Sequence, residues 1–433
     1  MSDRFHYQSQ EMMIDDGFRG FPSGLKPLSL KEIGQAGWKP YEGVMALPLM
    51  SLNEQAFANN ARAMMQFAKA NDVEIAPHAK TPMSPDLAGS LIAYGAWGGT
   101  VADIRQASVF LKSGFRKLIL GNQIGGANAV KRLARLMSSY PDAELHVFVD
   151  SVAFAEMLIA EWSADDSLPK LGLLVELGVA RAGLRDAQAA LPVIETILNH
   201  ETANLRLSGV AAYEGAAGVA DPDETIKRVD HLLDEATEAY QMIVTRLQMS
   251  RPLILTAGGS LFFDRVVAKW KPLKASNENL QIILRSGAIF FHDHGVYERG
   301  IKQLDNRQGF GSEKATDVFS PALRLWAEVL SRPEPQTVIC GFGMRDVAFD
   351  QDLPRILNIY RDGRFLRVLN DSHVLKLNDQ HAFIECAASA DIKIGDVVEL
   401  GISHPCTCID RHSLIYGLDE NQTVVSVYPT HFG

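Results

Sequence analysis

Four stretches of the sequence place chemically versatile side chains next to apolar runs or glycines. The first is Ala76-Pro77-His78-Ala79-Lys80-Thr81, which follows the short apolar run Val73-Glu74-Ile75. Catalytic groups of α/β barrels lie where loops leave the carboxyl ends of the strands. A lysine held there and partly desolvated loses its proton more easily and becomes a nucleophilic amine. Taken alone, the stretch is more typical of a solvated surface lysine than of a catalytic one.

Three glycine turns follow other apolar runs. In 176–183 (Glu-Leu-Gly-Val-Ala-Arg-Ala-Gly), the glycines permit a tight turn that would return Arg181 over the strand end, where its fixed charge suits a phenolate or carboxylate. In Thr256-Ala257-Gly258-Gly259-Ser260, free backbone N–H groups and a hydroxyl could bind a phosphate. The third turn is Leu284-Arg285-Ser286-Gly287. Ordinary turns with a solvated arginine are the alternative interpretation.

The fourth stretch is Ser403-His404-Pro405-Cys406-Thr407-Cys408. In an extended strand, His404, Cys406 and Cys408 would point to one face, because side chains alternate with period two. Imidazole and thiolate together suit zinc. Two ligands with open positions would indicate a catalytic metal, and a satisfied histidine beside buried thiols is the alternative. Phe291-His292-Asp293-His294 is interpreted as a surface turn and is left out of the metal set.

Composition limits the classes of function. The chain has 433 residues, 47% hydrophobic and 22% charged, which suits one large domain plus a smaller one. A formal net charge of −10 argues against nucleic acid or an anionic membrane as the main partner. No apolar run approaches the roughly 20 residues that span a bilayer, and the N-terminus lacks the apolar core of a signal peptide. We therefore expect a soluble cytoplasmic protein.

A repeating strand and helix pattern predicts the main domain. Ser51 and Glu54 are interpreted as a capping box that begins the first helix. Eight short apolar runs without alternation follow, most of them succeeded by helical spacing, as in parallel strands buried on both faces. The runs are 73–75, 98–101, 118–120, 145–149, 171–176, 207–213, 253–256 and 282–284. Eight units of this length predict a (β/α)8 TIM-type barrel, with a doubly wound sheet as the alternative.

The remaining sequence predicts two further parts. Residues 1–44 are irregular and are expected to form an N-terminal arm packing on the β domain, followed by the barrel over 45–300. Over 301–433 the helical spacing fades, and short β-prone runs separated by turns predict a C-terminal β-rich domain. The runs are 322–329, 337–341, 365–369, 397–402 and 423–427.

Together these stretches resemble a known family. A Pro-His-x-Lys-Thr strand end, an E-x-G-x-x-R-x-G turn, a late Gly-Gly loop and a C-terminal Ser-His-Pro-Cys-Thr occur together in fold-type III pyridoxal-phosphate (PLP) enzymes. The chain resembles the D-serine dehydratases and D-threonine aldolases of that group, which are related to the alanine racemase N-terminal domain. The resemblance covers about 45 to 415 and indicates a divergent subgroup.

The resemblance implies roles for individual residues. Lys80 would be the Schiff-base lysine and the base that removes the α-proton, and Arg181 would lie near the cofactor's phenolic oxygen. Tyr213 would lie near the ring or phosphate. His404 and Cys406 would bind a divalent metal, Zn or Mn, next to the substrate's β-hydroxyl. The expected phosphate contacts are Gly258, Gly259, Ser260, Ser286 and Gly287.

The implied reaction is loss of water and then ammonia from a β-hydroxy D-amino acid such as D-serine, giving a 2-oxo acid. Retro-aldol cleavage to glycine and an aldehyde is the alternative, although the His-Pro-Cys pair favours dehydration. The sequence departs from the family pattern at two places. It has Lys80-Thr81-Pro82-Met83 where members usually have Lys-Thr-His-Lys, and Ala102-Asp103 where they tend to have Ala-Thr. Larger substrates, such as 3-hydroxyaspartate or D-glucosaminate, are therefore alternatives to D-serine.

Two other activities stay open at this point, a non-catalytic PLP-binding protein and a racemase. The resemblance also implies a homodimer, in which His404 serves its own chain or its partner.

Overall fold

The structure is a computed structural model that describes residues 8–248 and 251–432, so 1–7 of the expected arm lie outside the described residues. These residues form two units. The barrel unit comprises Met64–Lys80 and Ala88–Gly287, and the β unit comprises 8–63, Thr81–Leu87 and 288–432. The division differs from the predicted boundaries after 44 and 300, because 45–63, 81–87 and 288–300 pack with the β-rich part.

The described helices and strands follow in chain order. The first are β1 (Met13–Ile14), β2 (Leu28–Ser29), α1 (Leu30–Ile33), β3 (Leu49–Asn53) and α2 (Glu54–Ala70). Next come β4 (Glu74–Ile75), α3 (Pro85–Ala93), β5 (Gly99–Val101), α4 (Ile104–Lys112), β6 (Lys117–Leu120), α5 (Ala127–Ser138), β7 (Glu144–Val149), α6 (Val152–Ser163), β8 (Leu171–Leu177), α7 (Ala187–Asn199), β9 (Leu205–Ala212), α8 (Pro222–Leu247), β10 (Leu253–Ala257), α9 (Phe263–Ala275) and β11 (Leu280–Leu284). The last are α10 (Val296–Asn306), α11 (Ala315–Val318), β12 (Leu323–Glu334), β13 (Thr337–Cys340), β14 (Arg355–Arg361), β15 (Arg364–Val368), β16 (His373–Leu377), β17 (Ala382–Glu385), β18 (Val397–Gly401), α12 (Cys406–Ile409), β19 (Leu414–Leu418) and β20 (Val424–Pro429).

The barrel unit is a curled sheet of eight parallel strands in the order β4-β11-β10-β9-β8-β7-β6-β5. The residues that follow β4 pair with β5, the strand at the opposite end of this order, so the two ends of the sheet are joined. There the Ala79 N–H donates to the Thr100 carbonyl at 2.8 Å, and the Thr100 N–H donates to the Pro77 carbonyl at 2.9 Å. The predicted fold class, a TIM-type barrel with a β-rich C-terminal domain, is confirmed.

The barrel strands are buried on both faces, as their unbroken apolar runs predict. Every residue of β8 and every residue of β10 is buried. One core cluster of this unit takes a side chain from most of the strands or their extensions. Its members are Ala76, Ile119, Phe148, Leu174, Ala211, Ile254 and Ile283. The barrel interior is therefore packed, and functional side chains must lie at the ends of its strands.

Side-chain caps set where several barrel helices begin. Asp103 caps α4 by accepting the Gln106 N–H at 2.7 Å, and Ser151 and Asp186 cap α6 and α7 in the same way. Threonine and aspartate are both N-cap residues. The aspartate at 103, one of the two departures from the family pattern, therefore has a structural explanation.

The β unit is built on one sheet in the order β15-β14-β18-β12-β13-β17-β16, with β3, β19 and β20 attached beside β12. All five predicted runs contain strands. Sequence reasoning missed β3, β14, β16, β17 and β19 of this sheet, and also β1 and β2, which pair with each other in a separate two-stranded sheet. Ile14, Phe21 and Leu30 from the N-terminal segment share a core cluster with Trp326 and Tyr416.

The predicted capping box at Ser51 is wrong. Ser51 lies within β3, and its hydroxyl accepts the Trp326 indole N–H at 2.8 Å. The residue that caps α2 is Asn53, whose side-chain oxygen accepts the Ala56 N–H at 2.8 Å. The Glu54 carboxylate accepts hydroxyl hydrogen bonds from Ser426 and Tyr428 instead. The helix therefore begins where a strand ends, two residues later than the capping box requires.

None of the helices within 8–248 and 251–432 has the length and apolar character needed to cross a membrane.

Candidate active site

Lys80 lies just beyond the carboxyl end of β4, the first barrel strand, after the residues that pair with Thr100. Its side chain is exposed, so the partial desolvation expected for a nucleophilic amine is absent in the described chain. His78 is two residues earlier, and its buried Nδ1 has no hydrogen-bond partner among the described residues. Burial, together with the charges of Lys80, Arg285 and Arg181, holds the pKa of His78 well below its usual value.

The turn after β8 forms as predicted. The Gly178 N–H donates to the Leu184 carbonyl at 2.9 Å, and the Leu184 N–H donates to the Glu176 carbonyl at 2.8 Å. A Cβ on Gly178 would lie 1.9 Å from the Ala182 carbonyl oxygen, so only glycine fits this position. The turn places the Arg181 guanidinium 4.8 Å from the centroid of the Tyr213 ring.

The Gly258–Ser260 loop contacts a carboxylate that sequence reasoning missed. Glu214 follows Tyr213 at the end of β9 and is fully buried. Its carboxylate accepts the Gly258 N–H at 2.9 Å, the Ser260 N–H at 3.1 Å and the Ser260 hydroxyl at 2.7 Å. The predicted phosphate loop is thus shaped for an anion, and in the described chain it holds one of the protein's own.

The second glycine turn is tied to the first. The buried Ser286 hydroxyl donates to the Gly258 carbonyl at 2.6 Å. A Cβ on Gly287 would lie 2.7 Å from the His78 carbonyl oxygen, so this glycine permits close packing against the segment that leads to Lys80. Four of the residues predicted from sequence, Lys80, Gly258, Ser286 and Gly287, therefore belong to connected turns of the barrel unit.

Arg285 is a second residue that sequence reasoning did not single out. Its guanidinium is buried, donates to the Thr256 hydroxyl at 2.7 Å and the Ala212 carbonyl at 2.6 Å, and lies over the Phe148 ring. Burial lowers its pKa, and the charges of Glu214 and Glu176 oppose that effect. Its position directly after an apolar strand, in a turn already noted for its glycine, is the signal that could have identified it.

The charge of these turns fits the cofactor that the resemblance implies. These turns hold four cations, Lys80, Arg181, Arg185 and Arg285, against three carboxylates, Asp150, Glu176 and Glu214. Burial raises the pKa of Glu176, and a hydrogen bond from Gln123 and the arginine charges act against this. The surplus of positive charge suits a phosphate dianion and a phenolate, and His78, whose lowered pKa keeps its ring neutral, adds no charge to it. The residues present therefore fit PLP.

The predicted strand through His404, Cys406 and Cys408 is wrong. Pro405 has helical dihedral angles, with φ −60° and ψ −45°, and Cys406–Ile409 form the single turn α12. The three side chains therefore do not alternate along a strand. Cys408 is fully buried, and burial raises its pKa to about 12, which keeps it a thiol.

His404 is held by a carboxylate that sequence reasoning also missed. Its Nδ1 lies 2.7 Å from an Asp350 carboxylate oxygen, and the Thr407 hydroxyl donates to the other Asp350 oxygen at 2.7 Å. Burial opposes protonation of His404, but hydrogen bonds with Cys406 and Asp350 outweigh it and raise its pKa to about 9. Thr81, which follows Lys80 in the sequence, has its hydroxyl 3.3 Å from the Cys406 sulfur.

This donor set fits a metal with two protein ligands. Metal-binding histidines commonly direct one ring nitrogen to a carboxylate and the other to the metal, and the contact between Nδ1 and Asp350 leaves Nε2 for that purpose. Cys406 adds a half-buried thiol. Within the described ranges, no three His, Cys, Asp or Glu side chains are grouped to hold a metal ion.

The predicted surface turn at 291–294 is also wrong, because His292 and Asp293 are buried. The Asp293 carboxylate accepts the backbone N–H groups of Gly295 and Tyr297 at the start of α10, and burial raises its pKa to about 7. The Asp293 carboxylate therefore holds the backbone in place where α10 begins.

Two sequence families match the chain. The family described as "Alanine racemase, N-terminal domain" matches residues 52–265, and the family described as "Putative serine dehydratase domain" matches residues 322–418. Their combination is the one that the resemblance predicted, and that prediction is confirmed. The chain thus combines the two domain types on which the resemblance to fold-type III pyridoxal-phosphate enzymes rests.

Individual relatives agree with this assignment. The chain is 23% identical over 397 residues to the 3-hydroxy-D-aspartate aldolase of Paracoccus denitrificans (strain Pd 1222), covering 90% of this chain and 92% of that protein. It is 23% identical over 331 residues to the D-threonine aldolase of an Arthrobacter species, covering 75% and 78%.

Solved structures share the fold. D-threonine aldolase from Filomicrobium marinum superimposes with a TM-score of 0.72 at 22% identity, covering 89% of this chain and 95% of that chain. D-threo-3-hydroxyaspartate dehydratase from Delftia sp. HT23 superimposes with a TM-score of 0.66 at 19% identity, covering 89% and 97%.

Proposed function

We propose that this protein is a PLP-dependent lyase acting on β-hydroxy D-amino acids. The observation on which the proposal depends is the position of Lys80 just past the first barrel strand, two residues from His78, whose pKa is lowered by the charges of Lys80, Arg285 and Arg181. Aldolases and dehydratases of such substrates are also the relatives that match most of its length.

Each residue has a separate task in this proposal. When bound, PLP supplies an electron sink for the bond that breaks at the substrate's α-carbon. Lys80 Nζ holds the cofactor and, once released, removes the α-proton. Arg181 places its charge near the phenolic oxygen, and Tyr213 lies against the ring or phosphate. The turns at Gly258, Gly259, Ser260, Ser286 and Gly287 form the phosphate site.

His404 and Cys406 hold a divalent metal, zinc or manganese, in the same proposal. A Lewis acid at that position would stabilise the departing β-hydroxide. The contact between Nδ1 and Asp350 would fix the orientation of the His404 ring and leave Nε2 for the metal, which would displace its proton.

Dehydration to a 2-oxo acid and ammonia is the first candidate reaction, because His404 and Cys406 match the pattern of the dehydratases. Retro-aldol cleavage is the second, because two matching relatives are named aldolases. Incubating the holoenzyme with D-serine, D-threonine and D-threo-3-hydroxyaspartate, and measuring ammonia against glycine plus aldehyde, decides between them.

The central test is the absorption spectrum of the purified protein and of Lys80→Ala. We expect a visible band in the wild type that borohydride fixes and that the variant lacks, with kcat lowered about 10³-fold or more by loss of the proton-transferring amine. The exposed helical residue Lys131 provides the control, and Lys131→Ala should retain both band and activity.

Two results would contradict the proposal. A colourless protein that PLP cannot reconstitute would overturn the cofactor assignment. A bound cofactor without turnover of any β-hydroxy D-amino acid would favour a non-catalytic PLP-binding protein. The expected homodimer remains a separate prediction, to be measured by sedimentation.

A further inference from the structure

Glu214 lies in the turns proposed to bind the phosphate, although no task has been given to it so far. We propose that Glu214 is a positioning residue, whose carboxylate fixes the Gly258–Ser260 loop in the shape that receives the cofactor phosphate. The phosphate then contacts donors that Glu214 leaves unengaged, foremost the Gly259 N–H. This inference rests on the proposed function, because it concerns the same cofactor.

The geometry shows one carboxylate holding both ends of the loop. One oxygen accepts the Gly258 N–H at 2.9 Å, and the other accepts the Ser260 N–H at 3.1 Å and the Ser260 hydroxyl at 2.7 Å. Gly259, between these two residues, donates to none of the described residues through its N–H and is partly exposed. The Tyr213 ring lies beside it, since a Cβ on Gly259 would be 3.0 Å from that ring.

The alternative is that Glu214 only occupies the loop until a phosphate displaces it, because two anions cannot share the same N–H groups. Displacement would have to break three charge-assisted hydrogen bonds of a fully buried carboxylate, and such bonds are roughly twice as strong as neutral ones. Buried Arg285, whose charge interacts with Glu214, stabilises the carboxylate where it is. We therefore assign Glu214 to the loop permanently.

The two roles predict opposite effects of Glu214→Gln, a change that keeps shape and removes charge. In the positioning role, the side-chain amide cannot accept all three donors, so the loop opens and phosphate affinity falls. In the displaced role, a competing anion is removed, so phosphate affinity rises. Glu156→Gln, on the exposed side of α6, is the matched control for charge.

Two measurements test the positioning role. In PLP-free protein, hydrogen exchange of the peptide around 256–262 should become roughly tenfold faster in Glu214→Gln, because charge-assisted hydrogen bonds are lost. Titration should show the Kd for PLP rising about tenfold, while the Kd for pyridoxal, which lacks the phosphate, stays within about twofold of the wild-type value. Glu214→Asp should recover part of both losses, and Glu156→Gln should change neither.

Tighter binding of PLP or inorganic phosphate by Glu214→Gln, unchanged exchange, or equal losses for PLP and pyridoxal would each overturn the inference. If Glu214→Gln fails to fold by circular dichroism, Glu214→Asp, which keeps the charge but shortens the side chain, should give a smaller change in the same direction. If the wild-type protein bound no PLP, the proposed function would be contradicted. The hydrogen-exchange measurement on PLP-free protein would still test whether Glu214 fixes the shape of the Gly258–Ser260 loop.

Discussion

The turns around Lys80 and the turn around His404 differ in the charge that they accept. In the barrel unit, four cations (Lys80, Arg181, Arg185 and Arg285) outnumber three carboxylates (Asp150, Glu176 and Glu214), and the Gly259 N–H has no partner among the described residues, so this region favours an anion. In the β unit, His404 is paired with Asp350 beside the Cys406 thiol, so that region favours a metal cation. The comparison shows that the barrel-unit turns offer donors suited to an anion, whereas the His404 turn offers donors suited to a metal cation.

After Lys80→Ala, removing the histidine of the second region should give the largest loss of activity. We expect His404→Ala to lower kcat roughly 10²-fold or more, because a Lewis acid contributes several kcal/mol to a developing charge. Metal content measured by plasma mass spectrometry should fall with it, whereas PLP absorption should persist. The control is His373→Ala, since His373 also pairs with a carboxylate, Glu385 at 3.0 Å, but on an exposed surface. If His404→Ala kept full activity in the presence of a chelator, the metal would have no role in the reaction.

A smaller effect is expected from the carboxylate behind His404. Asp350→Asn keeps the side-chain shape but weakens the hold on Nδ1, so metal affinity should fall about 10- to 100-fold. The measurement is a competition titration with a chromogenic chelator. Glu385→Gln makes the equivalent change beside His373 and should leave metal affinity as it was. Equal affinities for Asp350→Asn and wild type would show that Asp350 does not orient the ring.

The barrel region is tested by Arg181→Ala. Because Arg181 is exposed and solvent screens its charge, we expect the PLP affinity to fall only roughly fivefold, with a shift of the visible band. Metal affinity should not change, which would separate the two regions. Arg132→Ala, on the exposed face of α5, serves as the control. A loss of metal with Arg181→Ala would contradict the independence of the two regions.

The barrel was predictable because strands buried on both faces produce unbroken apolar runs. Strands β16 and β17 of the β unit are short and partly exposed, so no such run marks them. The alternation of Cys406 and Cys408 is typical of a strand, but the helical dihedral angles of Pro405 begin a turn there. The sequence pattern therefore predicted strands best where both faces of the strand are buried.

The partners of the site residues could not be predicted in the same way. Glu214 contacts residues 44 and 46 positions away, and Asp350 lies 54 positions from His404. Such pairs are set by the packing of distant segments, which no spacing rule reveals. The only local signal was a carboxylate directly after a strand end, next to Tyr213.

The smallest effect concerns neither region. Asn53→Ala removes the cap of α2 and should lower the free energy of unfolding by about 1 kcal/mol, measured by denaturant titration. PLP and metal affinities should be unchanged, because Asn53 contacts no residue proposed to bind either. Ser51→Ala should cost about 1–3 kcal/mol for another reason, since it leaves the buried Trp326 indole N–H without its acceptor. An unchanged free energy of unfolding for Asn53→Ala would show that this side chain does not stabilise the start of α2.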